Sequence, residues 1–476
     1  PTLGEAITAA GVNGTLVLQP GVTYTLDRGL TSLAGQRIIG HGATLQRRNQ
    51  IVTTTTTAMT SGATSIVTLT DATGFAEGMQ VAFAQAGVAR SALVYGTNLS
   101  AIRTITAVSG NQITLNSAVD INVSIGGTCF LTFVSLTLAD SATMEGITFD
   151  GNRANWSYSR WEVTIEAGAI SAGNNQNFLN CWFIDAPGEA ILPYGDDIRI
   201  EGNRFDGIGG NAVHLSGVAG AIITNNIAND GNIDTAVGHA DGFVSFSNDN
   251  SRVIIDGNKA TGFISGVGAL NNTDSDVTIS DNDFKNMYCF GVEGGAGVTG
   301  LTITGNRIDG VASDTSKKTG VPYYGGIVFI ALSAADYLIV DNTVKNVSGS
   351  YKSLAISQVS GAKNTKVSDN ILHGDVIFAG SYGASFSHNQ VEGRVQVAGV
   401  VSKLKINRNT ISQPNATSAF STTATAAYDG LEIEGNTIVG GTNGIDLTAS
   451  GTAYTGVNMR GNKMVDQTNR AINFPT

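Results

Sequence analysis

Few side chains in this sequence can move a proton at neutral pH, and their placement suggests the chemistry first. Of the 5 histidines, His214 sits in GNAVHLSG and His239 in VGHADG, two residues before Asp241. Glu293 stands in FGVEGGA, where the glycines leave room for a ligand to approach the backbone. Two carboxyl groups flanking a glycosidic bond can divide the roles of general acid and water-activating base, at roughly 6.5–9.5 Å apart in the inverting case. Glu293 and Asp241 are the pair expected in those roles, with His214, His239 and Glu166 as further proton carriers.

A second constellation lies upstream. Trp156, Tyr158, Arg160 and Trp161 crowd the segment 150–162, just ahead of Glu166. Aromatic rings stack on the C–H faces of sugars while charged neighbours bond the hydroxyls, so these residues are expected to wall a subsite. The competing reading is a loop folded back over apolar surface. Glu189, Asp196 and Asp197 form another candidate acid set, and Glu189, Tyr194 and Asp197 are expected to bind substrate, as are Tyr323 and Tyr324, which follow Lys317 and Lys318 in a long connection. The run Asp274, Asp276, Asp281, Asp283 lacks the glycine and terminal glutamate of a calcium loop, so no metal site is expected, and no cofactor.

The elements that must position these groups are legible from a repeat. Asn203, Asn226, Asn258, Asn282, Asn306, Asn342, Asn370, Asn389, Asn409, Asn436 and Asn462 each follow an apolar residue by three and precede another by two, as in IDGNKA and ITGNRI. The spacing averages about 26 residues, which suits one turn of a solenoid. Between the asparagines run short segments rich in Ile, Val, Thr and Phe, broken by Gly, Asn and Asp, so strands are the building block. Three strands per turn, stacked at about 4.8 Å, make a parallel β-helix. Asparagine tolerates left-handed backbone angles at the bend, and its amide can bond the equivalent amide one coil away. A β-propeller would need about 40–50 residues per unit and a Trp-Asp or Gly-His signature, and no such period is present.

On these residues the chain resembles the single-stranded right-handed parallel β-helix superfamily of pectate lyases, polygalacturonases and phage tailspikes. The segments LGEAI and GTLVLQPGVTY near the start resemble the capping helix and first strand of that family. The expected fold is thus all-β: a right-handed parallel β-helix solenoid with an N-terminal cap. Residues 1–51 form the cap and first coils, residues 52–135 an inserted small β subdomain with a hairpin at Ser109-Gly110-Asn111, and residues 136–476 the main helix with a glycan-binding groove.

The resemblance implies a polysaccharide depolymerase of the tailspike kind that hydrolyses a bacterial surface glycan, assembles as a homotrimer and acts outside the cell or on a virion tail. Two alternatives are a secreted lyase or epimerase on an acidic glycan, and a non-catalytic glycan-binding adhesin. A polygalacturonase is not expected, because Gly40-His41-Gly42 precedes rather than follows the Asp196-Asp197 pair.

Within the expected groove, strands at 188–195, 210–217, 241–248, 265–271, 290–296, 325–331 and 353–359 are phased to send Leu192, His214, Ser245, Gly268, Glu293, Val328 and Ser357 outward. Two coil rises then set Asp241 and Glu293 about 9–10 Å apart.

Composition removes other classes. A net charge of −11 over 476 residues, without Lys/Arg clusters, would repel a phosphate backbone, so nucleic acid is not an expected partner. No apolar run approaches the roughly 18 residues of a membrane span, so no membrane insertion is expected. Cys129, Cys181 and Cys289 lie among apolar neighbours and read as buried thiols. The opening PTLGEAITAAG lacks an initiator Met and a basic-then-apolar leader, which suggests a mature or trimmed chain.

Overall fold

The computed structural model describes residues 2–88, 96–156, 169–171, 173–231, 242–270, 273–295, 297–318, 321–332, 336–349, 351–358, 364–413, 418–423, 427–448 and 453–473. The chain divides into two units, residues 1–214 with 228–240 and residues 215–227 with 241–476. Each is built from coils of a right-handed parallel β-helix, in which a strand of sheet 1 bends into sheet 2 and then into sheet 3.

In the first unit, sheet 1 pairs Thr15, Arg37, Thr143, Asn177 and Arg199 in register. Sheet 2 aligns Leu45, Phe149, Phe183 and Phe205 on its inner face. Parallel in-register stacking places identical rings one above another: Phe149 and Phe183 lie 5.0 Å apart and Phe183 and Phe205 5.2 Å apart, with ring planes nearly parallel. Helix Leu3–Ala10 is fixed by a capping box between Thr2 and Glu5 and buries Ile7.

Between Arg47 and Leu136 the coils give way, among the described residues, to six antiparallel strands, Val52–Thr54, Ile66–Thr68, Gln80–Ala84, Arg103–Ser109, Gln112–Leu115 and Thr128–Leu131. Gln112 pairs with Ser109, so the chain turns at Gly110-Asn111, within the hairpin expected at Ser109-Gly110-Asn111. The first two strands also meet through an antiparallel Thr55–Leu69 bridge, which closes the sheet on itself and leaves it no open edge there.

The second unit carries the asparagine ladder. From Asn226 to Asn436, each Nδ2 donates to the Oδ1 of the next rung's asparagine, at 2.9–3.0 Å along Asn226–Asn258–Asn282–Asn306–Asn342–Asn370–Asn389–Asn409–Asn436–Asn462. The backbone N–H of each donates to the same oxygen. Burying an amide is costly unless its groups are paired, and here the fold pairs them repeatedly. One expectation is corrected. The left-handed angle belongs to the residue before the rung, such as Asn225, Asp281, Asp341 or Asp369, and no ladder asparagine has positive φ. The preceding residue takes the bend so that the amide can point inward.

Sheet 3 of this unit holds long strands at Gly325–Leu332, Lys352–Gln358, Asp375–Tyr382 and Val395–Ser402. Its inner row runs Val244, Val267, Val292, Ile327, Leu354, Val376 and Val395. All three cysteines are free and buried. Among the described residues no helix is long and apolar enough to cross a membrane.

Candidate functional site

In the first unit, the backbone of Ala190 bonds that of Asn211 and the amide of Gly210 bonds the carbonyl of Gly188, so two successive coils stack here. That register delivers Glu189 from one coil against Asn211 and His214 from the next. Glu189 is 2% exposed. Its Oε1 lies 2.5 Å from Nδ1 of His214 and accepts from Nδ2 of Asn211 at 3.1 Å. Its Oε2 is buried and has no hydrogen-bond partner among the described residues. The His214 side chain is 13% exposed. Tyr194, from the end of the Glu189 coil's sheet-3 strand, is 44% exposed. Burial and then the nearby Glu189 charge push its phenol up to about 12, so it stays protonated at neutral pH. The structure thus brings Glu189 and His214, both from the set singled out on sequence, into contact, and sets Tyr194 within the electrostatic reach of Glu189.

Other members of that set are placed elsewhere. Trp156 is 3% exposed, its Nε1–H donates to the Arg48 carbonyl at 2.9 Å, and the Arg47 guanidinium lies 4.1 Å from its ring centre. Phe133 meets the ring edge-on. With both its polar tip and its ring occupied, Trp156 covers apolar coil surface and offers no face to a sugar, which corrects the subsite expectation for it. Asp197 adopts a left-handed turn conformation, and the Asp196 amide is held by Asn174. Tyr158, Arg160, Trp161, Glu166, His239 and Asp241 lie outside the described residues, so the Asp241–Glu293 spacing is not defined.

In the second unit, Phe329 packs on the inward Tyr337, and its register partner Gly294 must face the same way. By alternation Glu293 points outward, as expected. Its Oε2 accepts from Nζ of Lys318 at 3.0 Å and from the Ala269 amide at 3.2 Å. The Glu293 side chain is only 10% exposed. Lys318 arrives from the 312–324 connection, which strand alternation alone could not register with Glu293. Tyr324 stacks on Phe290 at 5.6 Å and donates its hydroxyl hydrogen to the Lys318 carbonyl at 2.7 Å. Tyr323 is half-buried beside it.

The outward row needs one correction. Glu293 pairs with Val328 and Val328 with Ala355, so Ala355 rather than Ser357 continues the row, followed by Ile377 and Gln396. Ser357 has the right facing but lies two residues along the strand. Ser245, Val328 and Ala355 are also buried, so this stretch of the row is covered rather than open. Among the described residues no group of three or more His, Cys, Asp or Glu side chains is arranged to hold a metal ion.

Residues 167–328 match the family model for the right-handed β-helix region. No curated protein matches the chain. Among solved structures, it is similar to the tailspike gp61 of Pseudomonas phage phi297, at 12% identity and TM-score 0.36 over 95% of this chain and 72% of that one. It is similar to the A-module of the mannuronan C-5 epimerase AlgE6 of Azotobacter vinelandii, at 14% identity and TM-score 0.36 over 97% of this chain and 93% of that one. The surface adhesin PfbA of Streptococcus pneumoniae gives 14% identity and TM-score 0.36 over 100% and 95%. Likeness at this level transfers no activity.

Proposed function

We propose that this chain is a polysaccharide depolymerase whose proton-transfer group is the His214 imidazole, oriented by Glu189. The observation that carries this reading is the 2.5 Å contact between His214 Nδ1 and the nearly buried Glu189 carboxylate, beside a phenol whose ionisation is suppressed. A carboxylate accepting from Nδ1–H fixes the tautomer in which Nε2 is the basic nitrogen, and it stabilises the imidazolium once formed. Glu189 stands behind the ring, so it is a positioning residue.

An imidazole base and a phenol acid suit eliminative cleavage. The base takes the proton from the carbon next to a uronate carboxyl, the electron pair forms the new C=C bond, and the leaving oxygen receives the phenol's proton. A second reading, hydrolysis, is favoured by Glu293, a carboxylate kept next to Lys318 and able to act as one half of an acid–base pair. The tailspike resemblance adds a bacterial surface glycan as substrate, homotrimeric assembly, and a place outside the cell or on a virion tail.

Product analysis tests the reading. Elimination gives chain ends absorbing in the near ultraviolet, hydrolysis gives reducing ends without that absorbance, and a binding protein leaves the chain length unchanged. His214→Gln is expected to lower cleavage by at least about a hundredfold while glycan binding persists.

A further inference from the structure

The second unit contains a cationic corner that the acid–base chemistry does not use. Lys352 and Asp375 face each other in register on adjacent sheet-3 strands, and Arg394 begins the next coil. Nζ of Lys352 and Nη2 of Arg394 both donate to Oδ2 of Asp375, each at 3.0 Å, and the Arg394 amide donates to Oδ1 at 2.9 Å. Two cations share one carboxylate, so the group carries a net positive charge in a chain whose overall charge is −11. Nε of Arg394 is buried without a hydrogen-bond partner among the described residues. The side chains of Lys352, Arg394 and Asp375 are 13%, 28% and 23% exposed, so part of each reaches the surface.

The surroundings also suit a sugar. Tyr351 immediately precedes Lys352, is partly exposed, and meets Tyr324 edge-on at 5.4 Å. The corners that lead into Asp375 and Arg394 are compressed to single glycines. A Cβ on Gly374 would fall 2.6 Å from the Ser353 hydroxyl, and one on Gly393 2.5 Å from the Gly374 carbonyl carbon. These corners are therefore too tight to carry a side chain. On the preceding coil, the Tyr324 carbonyl accepts from the Lys352 amide.

We propose that Lys352, Arg394 and Tyr351 form a subsite for a carboxylated sugar unit, with the two cations gripping the carboxylate and the tyrosine contacting the ring. Asp375 pre-positions both cations and lowers the net charge from two to one. Burial works to raise its pKa, but the Arg394 amide and the Lys352 ammonium outweigh it and hold the carboxyl below its ordinary value, so the arrangement persists at neutral pH. The subsite rests on the depolymerase reading only for the idea that the acidic sugar belongs to a polymer.

The test is titration of the full chain with sodium glucuronate, with glucose and sodium acetate as controls, followed by ligand-observed NMR at low ionic strength. Glucuronate is expected to bind and the two controls to bind at least about tenfold more weakly. Lys352→Met should weaken glucuronate by about tenfold, Lys352→Arg should retain it, and Asp375→Asn should tighten it several-fold by removing the competing charge. Glucuronate binding no stronger than glucose, or an unchanged affinity in Lys352→Met, overturns the subsite. Cleavage is scored separately in the His214→Gln protein. Loss of the depolymerase reading with glucuronate still bound, or the reverse, would then separate the two ideas.

Discussion

The asparagine ladder of the second unit and the Glu189 cluster of the first both bury polar side chains, but they close their hydrogen bonds differently. Asn342 donates from Nδ2 to the carbonyls of Ile303 and Val340 and to Oδ1 of Asn370, while its own Oδ1 accepts twice from Asn306. Glu189 is just as deep, yet one oxygen takes both neighbours and the other takes none among the described residues. A closed set of buried hydrogen bonds stabilises a fold, whereas an incomplete one stores a desolvation cost that a structural role does not require. The ladder is thus read as scaffold and the Glu189 cluster as chemistry.

That contrast can be broken most sharply at the ladder. Asn342→Leu leaves the Asn306 backbone N–H without its acceptor and removes the Nδ2 donations to Ile303, Val340 and Asn370, and is expected to cost about 3 kcal/mol in denaturant unfolding. A loss below about 1 kcal/mol would mean that the ladder is not the scaffold. Glu189→Gln keeps the shape and an acceptor for the imidazole, so its stability cost should stay under about 1.5 kcal/mol, while turnover falls at least about tenfold with KM little changed. Equal effects on stability and turnover would erase the distinction.

Smaller effects follow from ionisation. Tyr194, Tyr337 and Tyr428 have phenols pushed up to about 12, chiefly by burial, against about 10 in the unfolded chain. Their contribution is intact below about pH 10 and is lost as pH rises towards 12, because only the unfolded state ionises in that window. An alkaline absorbance titration of Tyr194→Phe should lack one late-ionising phenol. Asp375 has the opposite sign: its folded pKa is depressed, so its contribution is present above the unfolded value near 3.9 and is lost as pH falls through the lower folded one. Asp375→Asn should flatten the acid side of the stability profile slightly.

Much of the scaffold was legible because a coil repeats one local rule. The apolar residue three before and two after each asparagine predicted rungs, inner rows and sheet alternation together. The same flanks, Phe178 and Phe183, surround Cys181, whose amide donates to Oδ1 of Asn203 at 2.9 Å, so Cys181 is one more rung hidden by its residue type. The site was harder to read. Glu189 and His214 were each chosen, but for different roles, since their contact depends on aligning Gly188-Glu189-Ala190 with Gly210-Asn211-Ala212 across a coil of unmarked length. Trp156 was misread because its partners Arg47 and Arg48 lie on the far side of the inserted strands in sequence. Alternation fixed which face Ser357 takes but not its register, because a period of two is unchanged by a two-residue slip, and Val328 pairs with Ala355 instead.

The central assignment is that His214 carries the proton in glycan cleavage, and the most direct measurement compares wild-type and His214→Gln proteins on an acidic bacterial polysaccharide, following chain length and near-ultraviolet absorbance together. The account predicts shortening with rising absorbance in the wild type and at least about a hundredfold slower shortening in the variant, with folding unchanged. Equal rates in the two proteins would contradict it.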